Sequence, residues 1–212
     1  MKIKFCGFTR VEDVRFAMEL GIDFQGFVFF KGSRRFITIE SFDNIFKEVA
    51  GGNFVGVFVN EKEEIVLEVV KKYRIFAQLH GDETNEYVSR LLKEGVPVIK
   101  AFRIKSKDDV LRVKESVSEY ILIDTFVEGM YGGTGRSLDF GIVDEILSKV
   151  ENKKIFLSGG INIANIESII RNFGKYLYAI DLSSGIEKEP GIKSHNLMKE
   201  VYDKFKILTS LR

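Results

Sequence analysis

The chain has 212 residues, of which 45% are hydrophobic, 30% are charged and one is a cysteine, and its formal net charge at pH 7 is +1. A chain this close to neutral offers no general attraction to nucleic acid or to an anionic membrane, so neither is expected as a partner. No apolar segment reaches the length of about 18 residues that a membrane span requires, and a lone cysteine cannot form an internal disulfide. A cytoplasmic location is therefore expected.

Apolar runs and amphipathic stretches alternate along the whole sequence. The runs lack the in-and-out alternation of a half-exposed strand, which is typical of parallel strands covered on both faces. The predicted strands are Lys2–Phe8, Asp23–Phe30, Asn53–Val59, Ile75–Leu79, Pro97–Arg103, Tyr120–Thr125, Lys154–Leu157 and Leu177–Leu182. The predicted helices are Val11–Leu20, Ile39–Ala50, Glu61–Tyr73, Thr84–Glu94, Lys107–Ser116, Asp139–Val150, Asn162–Asn172 and Ser194–Lys206.

Local signals mark several helix ends. A small polar residue three positions before an acid predicts a capped helix start. The pairs are Thr9 with Glu12, Asn60 with Glu63, and Ser106 with Asp109. Glycine at the end of a periodic stretch predicts a helix stop, and the positions are Gly21, Gly95 and Gly174.

Eight strand–helix units predict an α/β fold, a (β/α)8 TIM barrel formed by a single domain over residues 1–212. An open doubly wound sheet is the alternative for such a pattern. No Gly-x-Gly-x-x-Gly follows the first strand, which argues against a dinucleotide site in that alternative. No linker or break in composition divides the chain, which favours one domain.

The last two strands each run into small residues, Ser158, Gly159 and Gly160 after strand seven and Ser183, Ser184 and Gly185 after strand eight. Without bulky side chains, backbone N–H groups can close on phosphate oxygens, and helix starts favour an anion. In TIM barrels the loops after strands seven and eight commonly hold a substrate phosphate. These segments therefore predict a phosphate site.

Two chemically active residues end apolar strands, Cys6 after strand one and Asp124 after strand six. Cys6 lies just before a helix, where the field favours a thiolate, although a free cysteine is commonly only a small buried hydrophobe. A carboxylate inside a barrel is costly unless it faces the pocket, pairs or is protonated, so a functional role is favoured for Asp124.

The sequence does not assign a single role to the other polar residues at or near predicted strand ends. Asp181 is either a substrate contact or an organiser of the loop that holds the helix-capping serines. Arg34 or Arg35 could clamp a carboxylate bidentately, although loop arginines are commonly just solvated. His80 ends strand four, but a metal role is not expected because the other histidine, His195, lies in the last helix.

The segment Gly129–Arg136 follows strand six and is glycine-rich. Glycine hinges would let it close over a pocket and exclude water, and the alternative is an ordinary flexible loop. It does not have the Gly-Lys-Ser/Thr ending of a nucleotide P-loop.

Taken together, these segments resemble the phosphoribosylanthranilate isomerase family of the tryptophan pathway, in order along the whole chain. The segments are Lys4–Arg10, Gly26–Phe29, Ser33–Phe36, Gln78–Glu83, Gly132–Gly135, Leu157–Gly160 and Asp181–Glu187. The strand-one cysteine and the Gln-Leu-His-Gly-Asp block are the most specific of them. Phe5, Phe8 and Arg136 depart from common family residues.

The resemblance implies an Amadori rearrangement of a small phosphosugar substrate, N-(5-phosphoribosyl)anthranilate, without cofactor or metal. By position in the family pattern, Asp124 is the general acid and Cys6, as thiolate, the general base. Arg35 would hold the anthranilate carboxylate, and the Gly159–Gly160 and Ser183–Gly185 segments the phosphate. Asp181 and His80 are assigned only to the pocket wall. The family also implies a monomer or a homodimer.

Two other interpretations remain open at this stage. The histidine-pathway isomerase performs similar chemistry in a similar barrel with two aspartates, so Cys6 argues against it, although a bifunctional enzyme stays possible. A catalytically silent phosphosugar-binding barrel would keep the phosphate segments. Retention of both Cys6 and Asp124 argues against that reading.

Overall fold

The computed structural model describes residues 1–49, 51–104, 109–125, 140–150 and 152–210. Within these residues eight parallel strands pair in chain order, and the eighth closes on the first. The strands are β1 (Lys2–Cys6), β2 (Phe24–Val28), β3 (Phe54–Phe58), β4 (Phe76–Leu79), β5 (Val98–Arg103), β6 (Tyr120–Asp124), β7 (Lys154–Ser158) and β8 (Ala179–Leu182). The closed barrel confirms the predicted TIM-barrel fold and excludes the open sheet.

A helix follows each strand, as predicted, with ends that differ by a few residues from the predicted ones. The helices are α1 (Val11–Leu20), α2 (Ile39–Glu48), α3 (Glu63–Tyr73), α4 (Asn85–Lys93), α5 (Asp109–Lys114), α6 (Phe140–Lys149), α7 (Ile166–Phe173) and α8 (His195–Ser210). The helix stops are confirmed in position. Gly21 caps α1 in the left-handed conformation, and Gly95 follows the last turn of α4 with a positive φ, whereas Gly174 ends α7 but stays right-handed.

Two of the predicted helix caps are wrong, because tertiary partners take the side chains. Thr9 donates its hydroxyl to the carbonyl oxygen of Gly191, and α1 starts after Arg10. Asn60 accepts from the N–H of Asp82 in the next loop, and α3 starts only after Lys62. Ser106 lies outside the described residues. Threonines cap two other helices, Thr38 at α2 and Thr84 at α4.

The barrel has two apolar layers. The larger one lies between the strands and the surrounding helices and is rich in phenylalanine. The smaller one fills the interior toward the amino ends of the strands, where aromatic rings pack edge to face. Phe24, for example, lies 5.6 Å from Phe76 and 5.4 Å from Phe156, measured between ring centroids. The interior is therefore closed at that end, and polar side chains are left for the carboxyl end.

The chain between β8 and α8 contains structure that the sequence patterns do not predict. A 3-10 turn, Ser184–Ile186, leads into an antiparallel pair, β9 (Glu187–Glu189) and β10 (Ile192–Lys193). These strands are short and charged, so they lack an apolar period. They bring Glu187 and Lys193 to the carboxyl end of β1.

No helix in the part of the chain that the structure describes is long and apolar enough to cross a membrane. The predicted lid, Gly129–Arg136, lies outside the described residues.

Candidate active site

Ionisable and small polar residues meet at the carboxyl ends of the strands, which we call the rim: Cys6, His80, Asp124, Ser158 and Asp181. Strand register fixes their places. Asp124 pairs with Ser158 of β7, and Asp181 of β8 pairs with Lys4 of β1, two residues before Cys6. Asp181 interacts electrostatically with both His80 and Asp124. The structure thus brings the predicted residues Cys6, Asp124 and Asp181 to one end of the barrel, with Asp181 between the other two.

Cys6 is 8% exposed and points toward the barrel interior, opposite Gly26 of β2. A Cβ on Gly26 would lie 2.5 Å from the Cys6 sulfur, so only glycine leaves room for the thiol at this position. Burial raises the pKa of the Cys6 thiol, although Lys4 and Lys193 act in the opposite direction. A helix start was expected to favour the thiolate form of Cys6, but α1 begins only at Val11. Burial, which favours the neutral thiol, therefore has the larger effect on the pKa of Cys6.

Lys4 lies inside the barrel and is fully buried. Its Nζ is 2.9 Å from Oδ2 of Asp181, whose side chain is 6% exposed. Burial alone would lower the pKa of Lys4, but Asp181 and Cys6 together raise it. Burial raises the pKa of Asp181, and Lys4 offsets this only in part. The interior of β1 therefore carries a charged lysine between two acids.

His80 and Asp124 form a second polar group across the rim, and each side chain is 18% exposed. The Nε2 atom of His80 is 3.2 Å from Oδ2 of Asp124, and Gln78 Nε2 is 3.0 Å from His80 Nδ1. With the Gln78 amide donating to Nδ1, a neutral His80 carries its proton on Nε2 and donates it to Asp124. His80 therefore orients the carboxyl group of Asp124.

Arg35 is held by an acid from the β9–β10 pair. Its Nε and Nη2 atoms donate to Glu187 at 2.9 and 2.7 Å, while Nη1 has no hydrogen-bond partner among the described residues. Lys193 donates to Glu187 at 2.7 Å and also to the carbonyl oxygen of Cys6. Burial alone would raise the pKa of Glu187, but the hydrogen bonds from Arg35 and Lys193 hold it below its ordinary value. The neighbouring Arg34 is exposed.

The two predicted phosphate segments lie side by side. A Cβ on Gly185 would overlap the carbonyl oxygen of Ile161, so glycine is what lets the loop after β8 approach the loop after β7. Gly159 and Gly160 have positive φ angles, and their N–H groups have no acceptor among the described residues. These N–H groups are therefore available to an anion.

The serines play a different part from the expected helix caps. Ser183 precedes the 3-10 turn without a capping hydrogen bond, and its hydroxyl donates to the carbonyl oxygen of Cys6 at 3.1 Å. Ser184 is exposed at the start of that turn. Ser183 thus joins the loop after β8 to the end of β1, where the thiol lies.

Sequence reasoning missed three residues that shape the site: Lys4, Glu187 and Lys193. A signal existed for Lys4, since a lysine inside the apolar run Ile3-Lys4-Phe5 must find a partner if the strand is buried. Glu187 and Lys193 lie in a charged segment that resembles a solvated loop. Only the contact with Arg35 and β1 distinguishes them.

A closed eight-stranded barrel with a thiol, carboxyl groups and an arginine at the carboxyl ends of its strands defines a class, the TIM-barrel enzymes. Comparisons with known proteins agree with this class and identify the family. The family model described as N-(5'-phosphoribosyl)anthranilate (PRA) isomerase matches residues 3–204. The N-(5'-phosphoribosyl)anthranilate isomerase of Thermotoga neapolitana is 39% identical over 208 residues, which is 97% of this chain and 98% of that protein.

Solved structures give the same result. The crystal structure of phosphoribosyl anthranilate isomerase from Thermotoga maritima is 35% identical, with a TM-score of 0.85 over 97% of this chain and 98% of that one. A phosphoribosyl anthranilate isomerase in complex with reduced 1-(o-carboxyphenylamino)-1-deoxyribulose 5-phosphate is 34% identical, with a TM-score of 0.83 and the same coverage. The chain belongs to the N-(5'-phosphoribosyl)anthranilate isomerase family, whose members are aldose–ketose isomerases of tryptophan biosynthesis.

Proposed function

We propose that this protein converts N-(5-phosphoribosyl)anthranilate into 1-(2-carboxyphenylamino)-1-deoxyribulose 5-phosphate by an Amadori rearrangement, with Asp124 as acid and Cys6 as base. The observation that carries this proposal is the meeting of Cys6 and Asp124 at one rim, on strands β1 and β6, with Asp181 between them. The name of the ligand in the related complex, a reduced carboxyphenylamino-deoxyribulose phosphate, supports the substrate class.

Asp124 opens the ribose ring. The carboxyl proton goes to the furanose ring oxygen as the C1–O bond breaks, and the nitrogen lone pair forms the C1=N bond of a Schiff base. Hydrogen bonding to His80 keeps the carboxyl group of Asp124 in a fixed plane at the rim. The partial exposure of both side chains lets Asp124 regain its proton from solvent between turnovers.

Cys6, as thiolate, removes the proton from C2 of the Schiff base. The electron pair of the C2–H bond forms a C1=C2 bond, and the C1=N electrons return to nitrogen. The resulting enolamine becomes the ketone when its hydroxyl loses a proton and C1 gains one. The whole reaction is proton-neutral, so a thiol and a carboxyl group suffice to carry the protons.

Arg35 and the two glycine-containing loops bind the ends of the substrate. Glu187 occupies the Nε–Nη2 edge of Arg35, and the Nη1–Nη2 edge remains for the anthranilate carboxylate, which it fits bidentately. The N–H groups of Gly159 and Gly160, with the segment Ser183–Gly185, bind the phosphate. This arrangement would fix both ends of the substrate while the sugar lies between Cys6 and Asp124.

Anthranilate fluorescence tests this function directly. Phosphoribosylanthranilate is generated enzymatically in the cuvette, and its disappearance is followed with purified protein and with Cys6→Ala as the matched inactive control. The histidine-pathway aminoaldose is assayed in parallel. Turnover of the anthranilate substrate alone supports the proposal, turnover of both indicates a bifunctional enzyme, and turnover of neither would leave a phosphosugar-binding barrel.

A further inference from the structure

The strand β1 carries a buried cation shared by two acids. Lys4 and Cys6 are two residues apart and therefore point to the same side of the strand, the barrel interior. Lys4 donates to Oδ2 of Asp181 at 2.9 Å, and the pKa of Lys4 is raised by both Asp181 and the nearby Cys6. All three side chains are at least nine-tenths buried, so water screens their interactions little.

The second carboxyl oxygen of Asp181 is the unusual feature of this cluster. Oδ1 is buried and has no hydrogen-bond partner among the described residues. A buried carboxylate oxygen without a partner is costly, and a proton on it removes the charge. Oδ1 is therefore a place where a proton from inside the cluster can reside.

We infer that Lys4 stabilises one negative charge at a time, and that Asp181 accepts the proton of Cys6 when the thiolate forms. The S–H bond of Cys6 breaks, an O–H bond forms on Oδ1 of Asp181, and the negative charge passes from oxygen to sulfur. Lys4 stays protonated throughout and attracts whichever of the two groups carries the negative charge. No proton enters or leaves the cluster, so the thiolate forms without access to solvent.

This exchange accounts for how a buried thiol becomes a base. Burial raises the pKa of both acids, while the two acids together raise the pKa of Lys4, as expected for one cation between two competing anions. The inference rests on the proposed function for the use of the thiolate, but the proton exchange itself needs no substrate. Asp181 becomes a catalytic proton acceptor and Lys4 a positioning residue.

Other charged groups surround the cluster and set its background. Lys193 of β10 and Arg35 of the loop after β2 interact with Cys6, and Glu187 of β9 forms an ion pair with each of these cations. His80, just after β4, and Asp124 of β6 also interact electrostatically with Asp181. These groups stay in place when only Lys4 or Asp181 is replaced, so a change in the Cys6 titration reports on the pair.

The test is a titration of Cys6 by NMR. Protein labelled with [β-13C]cysteine gives one cysteine resonance, because Cys6 is the only cysteine, and Cys6→Ser confirms the assignment. Wild type, Asp181→Asn and Lys4→Met are titrated after their circular dichroism shows that they are folded. Lys100→Met is the matched control, since Lys100 is also buried and paired with an acid, Glu83, at 2.8 Å.

Competition for one cation predicts shifts of opposite sign. Asp181→Asn removes the competing anion, so the Cys6 midpoint should fall by about one pH unit or more, a tenfold change in the ionisation equilibrium. Lys4→Met removes the cation, so the midpoint should rise by a similar amount. Lys100→Met should leave it unchanged. Isomerase activity is measured separately, so loss of the proposed function would not affect this result.

Three outcomes would overturn the inference. The first is an Asp181→Asn midpoint equal to or above that of wild type, which would show that Asp181 and Cys6 do not compete for Lys4. The second is a Lys4→Met midpoint that does not rise. The third is a Cys6 midpoint that shifts in the control Lys100→Met as much as in Lys4→Met. If Lys4→Met does not fold, Asp181→Asn decides alone, and a midpoint that does not fall overturns the inference.

Discussion

The two ends of the barrel interior are built from the same strands and differ in chemistry. Along β6 the inward positions pass from Tyr120 through Leu122 to Asp124, and along β7 from Phe156 to Ser158. The amino end is a packed aromatic layer, while the rim holds ionisable groups, including Oδ1 of Asp181, which is buried without a hydrogen-bond partner among the described residues. A polarity gradient along β6 and β7 thus separates the residues that stabilise the barrel from those that form the site. Substitutions at the rim should change kcat and leave the free energy of unfolding largely intact, and substitutions in the aromatic layer should do the reverse.

Loss of the proposed acid should give the largest effect. Asp124→Asn keeps the shape of the side chain but has no proton to donate, so kcat should fall about 10²–10⁴-fold. Binding of a reduced product analogue, measured by fluorescence titration, should change little, and the urea midpoint should stay near that of wild type. A kcat close to wild type would remove Asp124 from the mechanism.

A substitution in the aromatic layer at the amino end should lower stability and leave catalysis largely unchanged. Phe156 is fully buried against Phe24 and Tyr178, with ring centroids 5.4 Å away from each. Phe156→Ala should lower the free energy of unfolding by about 3–5 kcal/mol, because it leaves a cavity in the aromatic layer. Urea denaturation measures this loss, and kcat of the folded fraction should remain within about twofold. A large fall in kcat at unchanged stability would contradict the separation of the two ends.

Arg35 tests binding at the rim. Arg35→Ala should weaken transition-state binding by about 2–4 kcal/mol, or about 30- to 1000-fold in kcat/KM, through loss of a charge-assisted bidentate pair. Arg34→Ala is the matched control, since that side chain is exposed and should be silent. Steady-state kinetics on both variants are compared. Sensitivity of Arg34 instead of Arg35 would move the carboxylate site by one residue.

Glu187 lies near the rim but should also contribute to stability, so it tests how completely the two ends of the barrel differ. Its pKa is held below the ordinary value of 4.5, so its stabilising effect is present above that pH and is lost as the pH falls toward the lower folded value. Glu187→Gln should cost about 1.5–3 kcal/mol at pH 7, the range for hydrogen bonds to charged groups. Urea midpoints from pH 7 to pH 3 should show the difference from wild type shrinking below pH 4.5. A difference independent of pH would mean that the charge of Glu187 does not matter.

Much of the fold was predictable because local patterns carried it. Eight apolar runs separated by amphipathic stretches specify eight covered parallel strands, and all eight are found within a few residues of the predicted ends. The capping of Thr9 and Asn60 was not predictable in the same way. Their side chains bond to Gly191 and Asp82, and a distant partner can replace a local cap of comparable energy.

The sequence by itself determined the barrel, the glycines after β7 and β8, and the positions of Cys6 and Asp124 at strand ends, since each of these follows from residues adjacent in the chain. Tertiary structure alone decided which charges pair. Lys4 meets Asp181 across 177 residues, and Arg35 meets Glu187 across 152, both through closure of β1 on β8 and the hairpin that follows. Burial of those pairs sets the charges around the thiol, because the energy of an ionised group depends on its surroundings in space and not on its neighbours in sequence.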